Sequence, residues 1–268
     1  MRAYLDHNAT TPLRAEARAA MLAAMDVVGN PSSVHAEGRA AKGLVEKARG
    51  QLAEALGAAN ADIIFTSGAT EAAALALAGR DLHGSGLEHD AVHAWITPDL
   101  AVVDGAVQVA DPGATALQLA NSETGILQDL PKALAVSDIT QAFGKVPFAY
   151  EWSGVAMVFL SAHKFGGPKG VGALVVPQGA DIAAQIKGGG QEMGRRSGTE
   201  NVIAIAGMGA AAAAAQADLA EGKWDRIAKL RNILESGIEA AENHTIFVGQ
   251  ERGRLPNTSC FASPGWKG

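Results

Sequence analysis

Apolar residues at helical spacing occupy both ends of the chain. Four segments show this pattern: 12–27, 36–56, 201–219 and 224–242. Pro12 suits the first turn of the first helix, since the N–H that it lacks would be unpaired there anyway. Gly57 suits the end of the second, because glycine readily takes the left-handed conformation of a helix C-terminus. The sequence therefore predicts two long helices before a central region and two after it.

The central region has short apolar runs instead. The first run, 62–66, is followed by a Ser67-Gly68-Ala69-Thr70 turn and a helical segment at 71–78. Further runs predict strands at 91–96, 105–109, 116–119, 155–160, 172–176, 245–248 and 258–262. Strands that are apolar throughout are typical of a parallel sheet covered on both faces. We therefore expect an α/β fold with a mostly parallel sheet flanked by helices.

Composition narrows the class of protein. Hydrophobic residues make up 48% and charged residues 19% of the 268 residues, which argues against disorder. The formal net charge of -6 predicts neither a nucleic-acid partner nor a membrane-surface partner. The most apolar stretch, 203–215, is mostly alanine and glycine and is too short for a membrane span. The single cysteine, Cys260, and the polar start of the chain predict a cytoplasmic protein.

Lys164 is the strongest candidate for chemistry. It follows the apolar run at 155–160, and a lysine at the carboxyl end of a parallel strand faces the crevice in which such sheets bind ligands. A partly desolvated lysine can form an imine with an aldehyde. The alternative is an ordinary lysine in a surface loop.

Two further candidates are weaker than Lys164. The turn at 67–71 lies between a strand and a helix, where free N–H groups and hydroxyls can bind a phosphate, although capped turns of this kind are common. Asp138 could hold a protonated ring nitrogen of a cofactor, or it could simply cap a helix.

Two other ligand classes are disfavoured. His89 and His93 have the spacing of zinc ligands on a helix, but 91–96 is predicted as a strand and no third ligand is evident nearby, so we expect no metal. The Gly207-Met208-Gly209 string resembles a dinucleotide fingerprint, but it lies inside a predicted helix with no strand before it.

Eight short motifs in one order are more specific than any of these strings alone. They are DHNATT at 6–11, NPSSVH at 30–35, SGATE at 67–71, EH at 88–89, NSETG at 121–125, DITQ at 138–141, SAHK at 161–164 and GGGQEMGRRSGTEN at 188–201. Together, from Tyr4 to about Ala262, they strongly resemble the NifS-like cysteine desulfurases of the class V aminotransferase group. The resemblance implies a fold type I transferase dependent on pyridoxal 5′-phosphate (PLP).

The resemblance also implies an activity and partners. Such an enzyme converts L-cysteine to L-alanine and transfers the sulfur to an acceptor protein for iron–sulfur cluster or thio-cofactor assembly, and it works as a homodimer. Alternatives are another class V PLP enzyme, such as an aminotransferase or selenocysteine lyase, or a non-catalytic protein that keeps the fold.

The motifs assign roles by resemblance. Lys164 is implied to bind the cofactor covalently and to move protons, with Asp138 at the pyridine nitrogen, Gln141 at the ring hydroxyl and His89 stacked on the ring. The residues implied to hold the phosphate are Ala69, Thr70, Ser161 and His163. Thr199 is implied to contact the phosphate of the partner subunit. Asn121 is implied to lie near the ring and substrate, although Asn121 and Ser122 are alternatives for this contact.

The chain also departs from the family pattern. The stretches 89–121 and 121–138 are shorter than the corresponding stretches of the family. Residues 130–136 are hardly enough for the crossover helix that the family has there. We expect a large domain over 1–244 and the start of an incomplete small domain over 245–268. We expect residues 1–15 to pack on that small domain. The nucleophilic cysteine and the arginine that binds the substrate carboxylate lie further along in the family. Cys260 falls in a predicted core strand, so we expect PLP binding but little sulfide release from these 268 residues.

Overall fold

A computed structural model describes residues 3–265. Its helices are α1 (Ala15–Met25), α2 (Ala36–Leu56), α3 (Ala69–Leu77), α4 (Asp90–His93), α5 (Tyr150–Ser153), α6 (Val202–Ala220) and α7 (Lys223–Ala241). Its strands are β1 (Ala61–Thr66), β2 (Val102–Val103), β3 (Ala106–Val107), β4 (Val136–Asp138), β5 (Met157–Ser161), β6 (Gly172–Pro177), β7 (Ile246–Phe247) and β8 (Phe261–Ala262). The long helices lie where the sequence predicts them.

The main sheet has the strand order β1-β6-β5-β4. β6 is antiparallel to both of its neighbours, whereas β4 and β5 are parallel. Single parallel bridges continue the sheet beyond β4, from Val136 to Ala116 and from Thr115 to His83. β6 is thus the one reversed strand of this sheet within residues 3–265, which confirms the prediction of a mostly parallel sheet flanked by helices.

Both faces of the sheet are buried. Successive side chains of a strand point to opposite faces, so Val158 and Leu160 pack with α2 and α6 while Phe159 packs with α3. The contact between α2 and α6 is close enough to require a glycine. A Cβ at Gly209 would lie 2.6 Å from the Cα of Ala48. The apolar composition of the central strands follows directly from this double burial.

α6 is the helix within residues 3–265 whose length and apolar character would also suit a membrane span. Half of its apolar window is buried inside the fold. Met208, Ala211 and Ala215 in this helix are fully buried and share a cluster with Ala17 of α1 and Leu52 of α2. This packing is that of a core helix. The expectation that this stretch is too short for a membrane span is wrong, because α6 has 19 residues.

The stretch before β4 differs from prediction. The predicted strand at 91–96 is wrong, because the His89 side chain accepts a hydrogen bond from the N–H of Ala91 (3.1 Å) and caps the short helix α4. The predicted strand at 105–109 is shortened to the two residues of β3. This strand pairs with β2 in a hairpin that turns at Asp104 and Gly105, both with positive φ. No helix forms over 130–136, the segment that the sequence leaves too short for one.

The last described segment forms a small separate sheet. Within residues 3–265, β7 and β8 pair only with each other, so the predicted strands at 245–248 and 258–262 are each reduced to two residues. A buried ion pair between Arg254 and Glu235 (2.8 Å) fixes this segment to α7. Asn8 bonds to Asn257 and Thr258 (2.9 Å each). The boundary between two domains at 244–245 stays a prediction.

Candidate active site

A cleft of about 510 Å³ opens at the carboxyl ends of β1, β4 and β5. Parallel strands end at the same edge of a sheet, so the polar residues that follow them are brought together there. The residues of the proposed site that line the cleft are Ala69, Thr70, His89, Asp138, Gln141, Ser161, His163 and Lys164. Eight of the ten predicted residues therefore share one cavity, and their individual roles stay predictions.

Lys164 lies at the end of a short 3-10 helix, Ala162–Lys164, that follows β5 directly. Its amine donates a hydrogen bond to the backbone carbonyl of Asn8. Burial lowers the pKa of Lys164, while the carboxylates of Asp138, Asp6 and Glu123 oppose that shift. A larger fraction of the amine is therefore unprotonated than in a solvated lysine, and only the unprotonated amine is a nucleophile.

Asp138 ends β4 on the floor of the cleft. One carboxylate oxygen accepts a hydrogen bond from the N–H of Thr140 (2.8 Å). Burial raises the pKa of Asp138, although the backbone N–H of Thr140, His89 and Lys164 act in the opposite direction. No cation forms an ion pair with it within residues 3–265. A cationic group bound in the cleft would therefore stabilise this carboxylate.

The turn before α3 forms one end of the cleft. Gly68 precedes the helix and provides no side-chain cap, so the first N–H groups of α3 remain available to a ligand. This turn lies directly on β6, since a Cβ at Gly172 would be only 2.6 Å from the carbonyl carbon of Gly68. The hydroxyls of Thr70 and Ser161 line the same part of the cleft. A helix N-terminus with nearby hydroxyls suits a phosphate group.

His163 also faces this end of the cleft. Burial lowers the pKa of His163 to about 4, with further contributions from Lys164 and Lys169. Its Nδ1 forms a hydrogen bond with the hydroxyl of Thr10 (3.1 Å). The ring is therefore neutral near pH 7, so it can provide an N–H group but no charge. Lys169, which lines the cleft, is the nearby cation that the sequence analysis missed.

His89 and Gln141 occupy other parts of the wall. Nδ1 of His89 accepts a backbone hydrogen bond from Ala91, so a neutral ring carries its proton on Nε2. The amide nitrogen of Gln141 donates to the carbonyl of Asn8 (2.9 Å), and its oxygen accepts from the amine of Lys145 (3.0 Å). Both side chains thus have one defined hydrogen-bonding orientation.

Asn121 does not line the cleft, whereas Ser122 does. The Asn121 oxygen accepts bonds from the backbone of Glu123 and Thr124 (3.0 and 2.9 Å), and its amide nitrogen donates to the carbonyl of Leu87 (3.2 Å). This side chain holds the shape of a turn. Of the two alternatives at this position, the geometry favours Ser122 as the residue that faces a ligand.

Thr199 is exposed and lies outside the cleft in a neighbouring pocket of about 180 Å³. Ser67 and Gly170 line both cavities. The Arg196–Glu71 ion pair (2.8 Å) fixes the loop at 188–201 to the first turn of α3. Thr199 is thus held beside the phosphate end of the cleft without entering it.

Glu88 is a buried acid that the sequence analysis did not assign. One of its oxygens accepts from the N–H of Gln118 (3.1 Å), and the other is buried with no hydrogen-bond partner among the described residues. Burial raises the pKa of Glu88 to about 8, and the charge of Asp138 adds to the effect. Glu88 is therefore a neutral acid at pH 7. A glutamate beside the predicted His89 was the only sequence signal for it.

The residues present fit PLP. A partly deprotonated lysine suits its aldehyde, a buried carboxylate without a cation suits its ring nitrogen, and the open end of α3 suits its phosphate. The buried hydroxyl of Thr140, which also lines the cleft, has no partner within residues 3–265. In the same part of the chain, no cluster of three histidine, cysteine or acidic residues could hold a metal ion.

Comparisons with known proteins identify the family and the fold of this chain. The profile of the Aminotransferase class-V family matches residues 3–95 and 98–267. A cysteine desulfurase of Cereibacter sphaeroides is 38% identical over 97% of this chain and 76% of its own length. A crystal structure of a NifS-like protein from Rickettsia africae superposes with a TM-score of 0.90 at 33% identity, covering all of this chain and 83% of that one. A structure described as SspA in complex with cysteine is 30% identical, with a TM-score of 0.71 over 79% of this chain and 72% of that one.

The fold, the cleft and these similarities define a PLP-dependent enzyme of fold type I. The chain belongs to the class V aminotransferase family, in its cysteine desulfurase branch. The alignment with the Cereibacter relative runs over 299 positions, more than the 268 residues of this chain. This chain therefore lacks internal stretches that the relative has, as the short segments around 89–138 predict.

Proposed function

We propose that this protein is a cysteine desulfurase that takes sulfur from L-cysteine and releases L-alanine. The observation that carries the proposal is the placement of Lys164, Asp138 and the open N-terminus of α3 around one cleft. The similarity to a protein bound to cysteine supports the choice of substrate. Transfer of the sulfur to an acceptor protein for iron–sulfur or thio-cofactor assembly is part of the same proposal.

Each residue has a defined task in this reaction. PLP, when bound, withdraws electrons from the substrate carbon atoms next to the bond that breaks. The Lys164 amine would hold the cofactor covalently and would move protons in the reaction. The Asp138 carboxylate keeps the ring nitrogen protonated. Ser161, Thr70 and the N–H groups of α3 orient the phosphate, and Gln141 donates to the ring hydroxyl.

A desulfurase also needs a thiolate that attacks the substrate sulfur. Cys260 is the single cysteine of these 268 residues. It is partly buried, its carbonyl accepts the N–H of Val248 (2.8 Å), and it does not line the cleft. Such a thiol is held in the β7–β8 region, so it is a poor candidate for the nucleophile.

The experiment measures sulfide and alanine after PLP-loaded protein is mixed with L-cysteine and a reductant. We expect L-cysteine, but not L-serine, to change the absorption of the bound cofactor. We expect only slow release of sulfide and alanine, because Cys260 is poorly placed to act as the nucleophile. The variant Cys260→Ala should behave in the same way. Sulfide release that vanishes in this variant would identify Cys260 as the nucleophile. A spectrum unmoved by L-cysteine would contradict the proposed substrate.

We also propose that the protein is a cytoplasmic homodimer. The exposure of Thr199, on a loop that the Arg196–Glu71 ion pair holds, supports this proposal, because its side chain is accessible to a second copy. Two-fold dimers are the commonest closed assembly. The single cysteine supports a reducing compartment. We propose neither a nucleic-acid nor a membrane partner, because the net charge of -6 is unfavourable for binding to either anionic surface.

A further inference from the structure

Lys145 is a buried lysine that none of the proposed steps uses. Only 2% of its surface is exposed. Its amine donates to the side-chain oxygen of Gln141 (3.0 Å), one helical turn earlier in the chain. No carboxylate forms an ion pair with it within residues 3–265. Burial of an amine without a carboxylate is unfavourable, so the presence of a lysine here points to a role at its one recorded polar contact within residues 3–265.

That contact lies directly behind the cleft. Gln141 lines the cleft, and its amide nitrogen donates to the carbonyl of Asn8 (2.9 Å). The same carbonyl accepts the hydrogen bond of the Lys164 amine. Lys145, Gln141, Asn8 and Lys164 therefore form one continuous chain of hydrogen bonds. It begins in the protein interior and ends at the predicted cofactor lysine.

A glutamine amide can bond in two orientations that differ by a half-turn about its last side-chain bond. A lysine amine is chiefly a donor, so it selects the orientation in which the Gln141 oxygen faces inward. The NH₂ group then faces Asn8 and the cleft, with one N–H used by Asn8 and the other left for a ligand. In the opposite orientation, two donors would face each other inside the protein.

We propose that Lys145 is a positioning residue that fixes the Gln141 amide with its NH₂ group toward the cleft. The second N–H of the Gln141 amide, which Asn8 does not use, would then be available to an acceptor group of PLP. The proposal concerns cofactor binding and does not depend on L-cysteine being the substrate.

The charge state of Lys145 is consistent with this role. Burial lowers the pKa of Lys145 to about 7, and the nearby charge of Lys164 adds to the shift. A large fraction of the Lys145 amine is therefore neutral near pH 7, which reduces the electrostatic penalty of its burial. A neutral amine still donates a hydrogen bond to the Gln141 oxygen, and the Asn8 carbonyl, which can only accept, keeps the NH₂ group on its own side.

The test is a double-mutant cycle on the PLP-loaded protein with Lys145→Met, Gln141→Ala and the combined variant. Loss of a buried hydrogen bond typically weakens binding by about tenfold. We expect Lys145→Met to weaken PLP binding by about tenfold and to shift the absorption maximum of the bound cofactor. In the Gln141→Ala background, the same substitution should change neither quantity, because the amide through which it acts is gone.

Lys47→Met is the matched control, since Lys47 is exposed on α2. It should leave the PLP affinity and the spectrum unchanged. Lys145→Gln, which keeps a donor, should restore most of the affinity lost in Lys145→Met, and it replaces that variant if the latter does not fold. Equal effects of Lys145→Met with and without Gln141 would overturn the proposal, as would an unchanged spectrum and affinity in Lys145→Met.

Discussion

The two sides of the cleft are built in different ways. On one side, which we call the sheet wall, the carboxyl ends of β1, β4 and β5 hold Asp138, Ser161 and Lys164. On the other, the irregular wall at 88–128, the backbone forms the short helix α4, the β2–β3 hairpin and single bridges. The sheet wall positions its side chains by the register of paired strands. The irregular wall must obtain its shape from side chains.

Buried polar side chains supply that shape. Gln128 accepts the N–H of Val107 (2.9 Å) and donates to the carbonyl of Gly105 (2.7 Å), which fixes the hairpin. Asn121 holds its own turn, and Glu88 accepts the N–H of Gln118. These bonds satisfy backbone groups that strands would otherwise pair. In the irregular wall, hydrogen bonds from polar side chains thus replace those of regular secondary structure. Most of the side chains proposed to react therefore lie in the sheet wall.

The largest effect should follow from a change in the sheet wall. Asp138→Asn keeps an acceptor for the N–H of Thr140 but removes the buried charge. Removal of one partner from a buried charge pair typically weakens binding by at least about 30-fold. We expect PLP affinity to fall by that amount in equilibrium dialysis.

Asp129→Asn, at an exposed position just beyond the irregular wall, should leave PLP affinity unchanged. If Asp138→Asn bound PLP as tightly as the original chain, the assignment of Asp138 to the ring nitrogen would be wrong.

A smaller, pH-dependent effect should follow from a change in the irregular wall. The pKa of Glu88 is raised to about 8, so its stabilising neutral form is fully present below its ordinary value near 4.5 and is lost as the pH rises through 8. Glu88→Gln imitates the neutral acid and keeps the acceptor for Gln118. The melting temperature of this variant relative to the original should rise by at least about 2–4 °C between pH 5 and pH 9.

Glu54→Gln, on the exposed face of α2, provides the control and should show no such trend. A difference in melting temperature that is flat with pH, or that falls as the pH rises, would mean that Glu88 is not held as a neutral acid.

The sheet wall was largely predictable from the sequence, and the irregular wall was not. The continuous apolar run at 155–160 corresponds closely to β5, because burial on both faces leaves one solution for such a run. The run at 91–96 has a similar composition, yet a local cap by His89 makes its first part helical. Ser122 rather than Asn121 faces the cleft, partly because the Asn121 side chain donates to the carbonyl of Leu87. These two residues are 34 positions apart, so the sequence alone does not show that contact.

The covalent attachment of PLP to Lys164 is the central claim, and one measurement tests it directly. The PLP-loaded protein is reduced with borohydride, digested, and the labelled lysine is identified by mass spectrometry of its peptides. Lys164 has an amine with a lowered pKa beside the buried Asp138, so we expect the label on Lys164 and no covalent label at all in Lys164→Ala. A label on Lys169 or Lys145 in the unmodified chain would contradict the account.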